Sequence, residues 1–196
     1  MFKVHYHLAA GLLLLSCINS AHATVIYSQP GFPPPGICAC WTSDTTTGSD
    51  GFQVFDNFTL GTSADITGFG WEASILDYLD GANNPVDLDT VSWELSFWSD
   101  SAGLPDLKLF SETLSAAEVT TTLLGQGTFF DAALGDPSIN YYELFFDLSA
   151  PFAASAGTTY WVSILSTSPS ENLITLWNRG SGGDGVAGQR LSLIHI

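Results

Sequence analysis

The run "VSWELSFWSD", Val91 to Asp100, holds two tryptophans and two acids, and the even spacing of Glu94 and Trp98 puts both on one face of an extended chain. A second run, Asn140 to Leu148, places Tyr141, Glu143 and Asp147 on one face in the same way. Carboxylates flanked by aromatic rings support two chemistries. If the two runs face a common groove, Glu94 and Glu143 match the pair of a glycoside hydrolase: one protonates the leaving oxygen, the other attacks or activates water. Without hydrolysis, Trp98, Glu94 and Tyr141 suit sugar contact, because the C–H-rich face of a pyranose stacks on an aromatic ring while its hydroxyls bond a carboxylate. Against both stands a simpler reading, in which the acids face solvent and the rings complete packing.

Other residues offer less. Asp77, Asp80, Asn83, Asn84, Asp87 and Asp89 gather hard oxygen ligands around a turn, as a calcium loop would. Their spacing is not that of an EF-hand, and Asp, Asn and Gly are also the residues any turn prefers. Calcium is thus the one candidate ion, and no organic cofactor is implied. Cys38 and Cys40 are separated by one residue, so a bridge between them closes a tight ring; pairing with another cysteine and free thiols stay open beside it. Histidine contributes nothing to the central chain: His5, His7 and His22 precede residue 24, and His195 follows residue 190. Ser-His-Asp and Cys-His nucleophilic machinery is therefore excluded from residues 24–190, as is an imidazole-ligated zinc or copper site.

The first 23 residues read as a secretory signal, with Lys3 at the positive start, Leu8 to Leu15 as the apolar run and Ala21-His22-Ala23 as a small-x-small cleavage site. A lipoprotein signal cut before Cys17 is the competing reading. The apolar run is too short to span a bilayer. At the other end, "LSLIHI", Leu191 to Ile196, resembles the translation of a transposase adapter, which reads as an artefact standing where a native C-terminal segment is expected; a native final strand, which Leu191, Leu193 and Ile194 would suit, is the competing reading. Between these ends, residues 24–51 form a Pro-, Gly- and Cys-containing segment and residues 52–190 a domain long enough to bury a core. The whole chain carries a net charge of −16, and all 20 acids lie between residues 24 and 190 against Lys108, Arg179 and Arg190. Such a surface repels phosphate backbones, so nucleic acid is excluded as a partner.

The elements that position these residues are strands. Val91, Trp93, Leu95 and Phe97 alternate with Ser92, Glu94, Ser96 and Trp98, which is the period of a half-buried strand. Asn140–Leu148 alternates likewise, and Thr158–Leu165 places Tyr160, Val162 and Ile164 opposite Trp161 and Ser163. Further strands are expected at Val25–Tyr27, Gln53–Leu60, Asp65–Ala73, Leu107–Leu114, Gly127–Asp131 and Leu173–Asn178. Turn residues sit between them, as in "SDSAGLPD" from Ser99, where Asp100 is placed to bond the loop's own amides. Ser115 and Glu118 have capping-box spacing, which fits one helical turn or a loop. No amphipathic run of helical length separates the strands. The expected fold is all-β: an antiparallel β-sandwich of about eight or nine strands, of jelly-roll type.

Four stretches, "FDNFTLGTSADITGFGWEA", "LSFWSDSAGLPDLKLFSETL", "AGTTYWVSI" and "TLWNRGSGGDG", taken in that order, carry a resemblance covering most of Phe52 to Gly185. The chain resembles exported β-sandwich proteins of the PEP-CTERM group, made by Gram-negative bacteria that secrete extracellular polysaccharide. The resemblance implies a surface-displayed or released domain in an exopolysaccharide matrix. It also implies a C-terminal Pro-Glu-Pro segment, apolar helix and basic cluster read by an exosortase-type sorting enzyme. That tail is not visible in this chain. The group brings no general enzymatic activity, so a non-enzymatic domain is the leading expectation and a secreted Asp/Glu carbohydrate-active enzyme the alternative.

Overall fold

The computed structural model describes residues 40–43, 52–77, 88–128, 138–168, 173–178 and 187–191. They form an antiparallel β-sandwich. In chain order the strands are β1 Cys40–Thr42, β2 Phe52–Thr59, β3 Ala64–Asp77, β4 Ser92–Ser101, β5 Leu104–Ser115, β6 Thr120–Thr128, β7 Ser138–Ala154, β8 Thr159–Thr167, β9 Leu173–Asn178 and β10 Ala187–Leu191. The first sheet has the order β1-β9-β3-β7-β6 and the second β10-β2-β8-β4-β5. Among the described strands, only the successive pairs β4–β5 and β6–β7 belong to one sheet; all other successive strands belong to different sheets.

Alternation decides which side of each strand meets the core. Trp93, Leu95 and Phe97 of β4 are 0–2% exposed and face Trp71, Leu144 and Phe146 of the first sheet in one cluster. Aromatic edges and faces hold the two layers together: Trp71 of β3 meets Trp93 of β4 edge-on at 5.4 Å, and Phe97 stacks on Phe152 of β7 at 4.4 Å. Each such buried ring contributes about 1.5–3 kcal/mol of transfer free energy, with about 0.5–1.5 kcal/mol more from the ring pairing.

The β4–β5 hairpin turns on Ala102 and Gly103, both at positive φ (56° and 79°), the backbone of a type I′ turn matched to strand twist. Asp100 bonds the loop as expected, its Oδ2 accepting from the Gly103 N–H at 3.3 Å. A corner between the sheets is stitched by Ser43. Its N–H donates to Thr175 O, extending the β1–β9 pairing, while its hydroxyl donates to Ile164 O at 2.5 Å and accepts from Val54 N–H at 3.2 Å in the second sheet.

Several expected elements differ. Strand β3 runs on to Asp77, β5 starts at Leu104 and β7 extends to Ala154, because hydrogen-bonded partners continue beyond the alternating segment. The strand expected at Gly127–Asp131 is β6, Thr120–Thr128, a threonine-rich stretch whose pattern is interrupted by a bulge between Leu123 and Gly125. Two short edge strands, β1 and β10, raise the total to ten among the described residues; Leu191, assigned to the adapter-like tail, pairs with Phe52 at the end of β10. Ala116–Glu118 is a single 3₁₀ turn in which the Glu118 carboxylate accepts from both the N–H and the hydroxyl of Ser115. The expected Val25–Tyr27 strand lies outside the described residues.

Candidate functional site

Strand β4 turns Glu94, Ser96 and Trp98 away from the core, onto the outward face of the second sheet. The partner strand β5 brings a cation there. A ladder without bulges, counted back from the Ser101–Leu104 pair, would set Lys108 opposite Phe97 on the core face. Register shifts instead pair Lys108 with Trp98 and Phe110 with Phe97. Each shift adds one residue to β5, the first within Asp106–Leu107 and the second at Leu109, which is left exposed.

The result is a compact polar and aromatic group. Lys108 Nζ lies 2.5 Å from Glu94 Oε1 and 5.1 Å from the centroid of the Trp98 ring. Ser111 Oγ donates to the same Glu94 oxygen at 3.0 Å. The Trp98 indole N–H donates to Ser96 Oγ at 2.9 Å, and the Trp98 and Phe55 rings form a T-shaped pair with centroids 5.5 Å apart. Trp98 is half-buried, whereas Ser96 below it is wholly buried. On the next strand, Trp161 lies directly opposite Trp98, only 1% exposed, with its indole N–H on Asp100 Oδ1 at 2.8 Å.

Glu143 and Tyr141 are elsewhere. They belong to β7 and point away from the core on the outward face of the first sheet, where Glu143 pairs with Glu72 and Tyr141 with Ser74. The sandwich core therefore separates Glu143 from Glu94, and the proposed carboxylate pair does not flank one groove; likewise Tyr141 does not join Trp98 and Glu94. The physical reason is strand order, since β4 and β7 sit in different sheets. Glu143 is exposed, while Tyr141 is 5% exposed and its phenol is pushed above the usual value by burial.

Of the acids grouped as calcium ligands, Asp80 and Asp87 lie outside the described residues; Asp77 ends β3, and Asp89 is exposed in the turn before β4. Among the described residues no group of three or more His, Cys, Asp and Glu is placed to hold a metal ion, and no helix is long and apolar enough to cross a membrane. Cys38 also lies outside the described residues, and Cys40 pairs through its backbone with Asn178.

Sequence reading singled out Glu94 and Trp98 but not Lys108, Ser111, Phe55 or Trp161. Lys108 had one available signal, as the sole lysine after Lys3. Its place depends on bulges that leave no mark in the hydrophobic pattern. No protein-family model, curated protein or solved structure matches the chain.

Proposed function

We propose that this chain is a non-enzymatic exported β-sandwich domain, displayed at or released from the cell surface of a Gram-negative bacterium. In this reading it associates with an exopolysaccharide matrix and contacts glycan through the outward face around Trp98. One observation carries the glycan contact: a half-buried tryptophan ring held on the outward face of the second sheet, with a carboxylate, a hydroxyl and an ammonium group grouped around it. Such a ring stacks on a pyranose face while the neighbouring groups bond its hydroxyls. The separation of Glu94 from Glu143 favours binding over hydrolysis by that pair.

Export and the matrix setting rest on the signal-like first 23 residues and on the PEP-CTERM resemblance, which also makes an exosortase-type enzyme the expected sorting partner. The passage of the chain between sheets at all but two connections supports the jelly-roll reading of the sandwich. The test is retention of the purified chain on a panel of neutral matrix polysaccharides. Trp98→Ala should remove retention while the fold, followed by near-UV circular dichroism, persists. Retention of the wild type on none of them overturns the glycan reading.

A further inference from the structure

The group around Trp98 is already liganded from within. The Lys108 ammonium sits over the indole ring at 5.1 Å and against Glu94 Oε1, the oxygen that Ser111 also bonds. Ring face, carboxylate and hydroxyl are the three elements that hold an organic ammonium ion: the ring quadrupole attracts the cation, and the carboxylate accepts a charge-assisted hydrogen bond. We propose that Trp98, Glu94 and Ser111 form a site for the protonated amine of an amino sugar in a cationic polysaccharide, and that Lys108 is its internal occupant in the free protein.

Two observations on the molecule converge on that ligand class. The Lys108 and Glu94 side chains are 39% and 32% exposed, so the pair is open to solvent and an incoming cation can reach the carboxylate. A solvent-exposed ion pair of this kind holds its lysine weakly, which makes displacement inexpensive. The rest of the chain supplies the field: with a net charge of −16, it draws cationic polymers in and repels uronic-acid or sulfated ones. A sugar ammonium also brings a pyranose ring to stack on the indole, a contact that the flexible lysine stem does not match. Because Lys108 competes for the site, apparent affinity is reduced by the fraction of time that it is in place.

This inference rests on the glycan-contact reading of the Trp98 face, and titration calorimetry at low salt with a fully deacetylated chito-oligosaccharide and its N-acetylated counterpart separates the two. The deacetylated oligomer should bind the wild-type chain more tightly. Lys108→Gln should raise its affinity by about 3- to 10-fold, with no comparable gain for the N-acetylated oligomer. Glu94→Gln should abolish the preference. Equal binding of the two oligomers, or no gain in Lys108→Gln, overturns the amine site while glycan contact stands. Failure of both oligomers to bind, with a neutral polysaccharide still retained through Trp98, overturns it as well. Retention of no glycan at all overturns both readings.

Discussion

The indole N–H of Trp161 donates to Asp100 Oδ1 at 2.8 Å, tying the tip of the β4–β5 hairpin to strand β8. The other oxygen of the same carboxylate accepts from Gly103 N–H within the turn. One acid thus fixes the hairpin backbone and satisfies the only polar atom of a side chain that is 1% exposed. Trp98 stands directly opposite Trp161 in the ladder, so the geometry of the candidate site is set partly by a residue outside it.

Asp100→Ala should therefore destabilise the fold by about 1–3 kcal/mol, because the buried indole N–H loses its acceptor. Urea denaturation should show a lower midpoint at unchanged m-value. Asp100→Asn keeps an acceptor oxygen and should recover most of the loss. A Trp161 fluorescence environment unchanged in Asp100→Ala would argue that the bond does not hold the ring.

Ser43 carries a second prediction. Its hydroxyl serves both Val54 N–H and Ile164 O where the two sheets meet, and the residue is 2% exposed. Ser43→Ala leaves both backbone groups unpaired, at a cost of about 2–3 kcal/mol. Hydrogen exchange locates the effect: protection of the Val54 amide should fall more than that of Phe58, which lies within the continuous β2–β8 ladder.

Much of the sandwich was legible in its alternation. Trp93, Leu95 and Phe97 point inward as the period-2 pattern requires, and β9 has the expected bounds, Leu173–Asn178. Hydrophobic period reports which side of a strand is buried; it carries no information on which strands are neighbours. For that reason alternation correctly places Glu94 and Trp98 on one face of β4, whereas the common groove that would join Glu143 and Tyr141 to them does not exist, because the core lies between. Period also assumes that the outward face is solvated. Trp161 and Ser163 are on that face of β8, as alternation places them, yet are 1% and 0% exposed, so the face a residue takes does not by itself report its burial.

A pH-dependent prediction follows from the 3₁₀ turn. Two hydrogen bonds from Ser115, the side-chain one foremost, hold the Glu118 carboxyl below its ordinary value of 4.5. A group whose folded pKa is depressed adds stability above its unfolded pKa and loses it as pH falls through the folded value. Glu118→Gln should accordingly melt below the wild type at pH 7, and the gap should close as pH falls below 4.5. Thermal melts of both proteins between pH 3 and 7 check this; a gap independent of pH would show that ionisation of Glu118 has no part in it.

The outward face of the first sheet supplies the last test. Phe145 of β7 lies over two glycines of β3: a Cβ added at Gly68 would meet Phe145 Cζ at 3.0 Å, Phe146 O at 3.1 Å and Asp147 Oδ1 at 3.2 Å. At Gly70 it would meet Phe145 Cδ2 at 3.3 Å and Leu144 O at 3.5 Å. The ring occupies space that side chains at these positions would take, although Phe145 is itself 43% exposed. Gly68→Ala should cost about 1–3 kcal/mol, since a backbone carbonyl as well as the ring must move. Gly70→Ala should cost less, because the ring edge alone has to give and alanine loses less chain entropy than glycine on folding. Phe145→Ala combined with Gly68→Ala should be less destabilising than the sum of the two, with a coupling of at least about 0.5 kcal/mol. Simple additivity in that double-mutant cycle would mean that the carbonyl of Phe146, not the ring, sets the limit at Gly68.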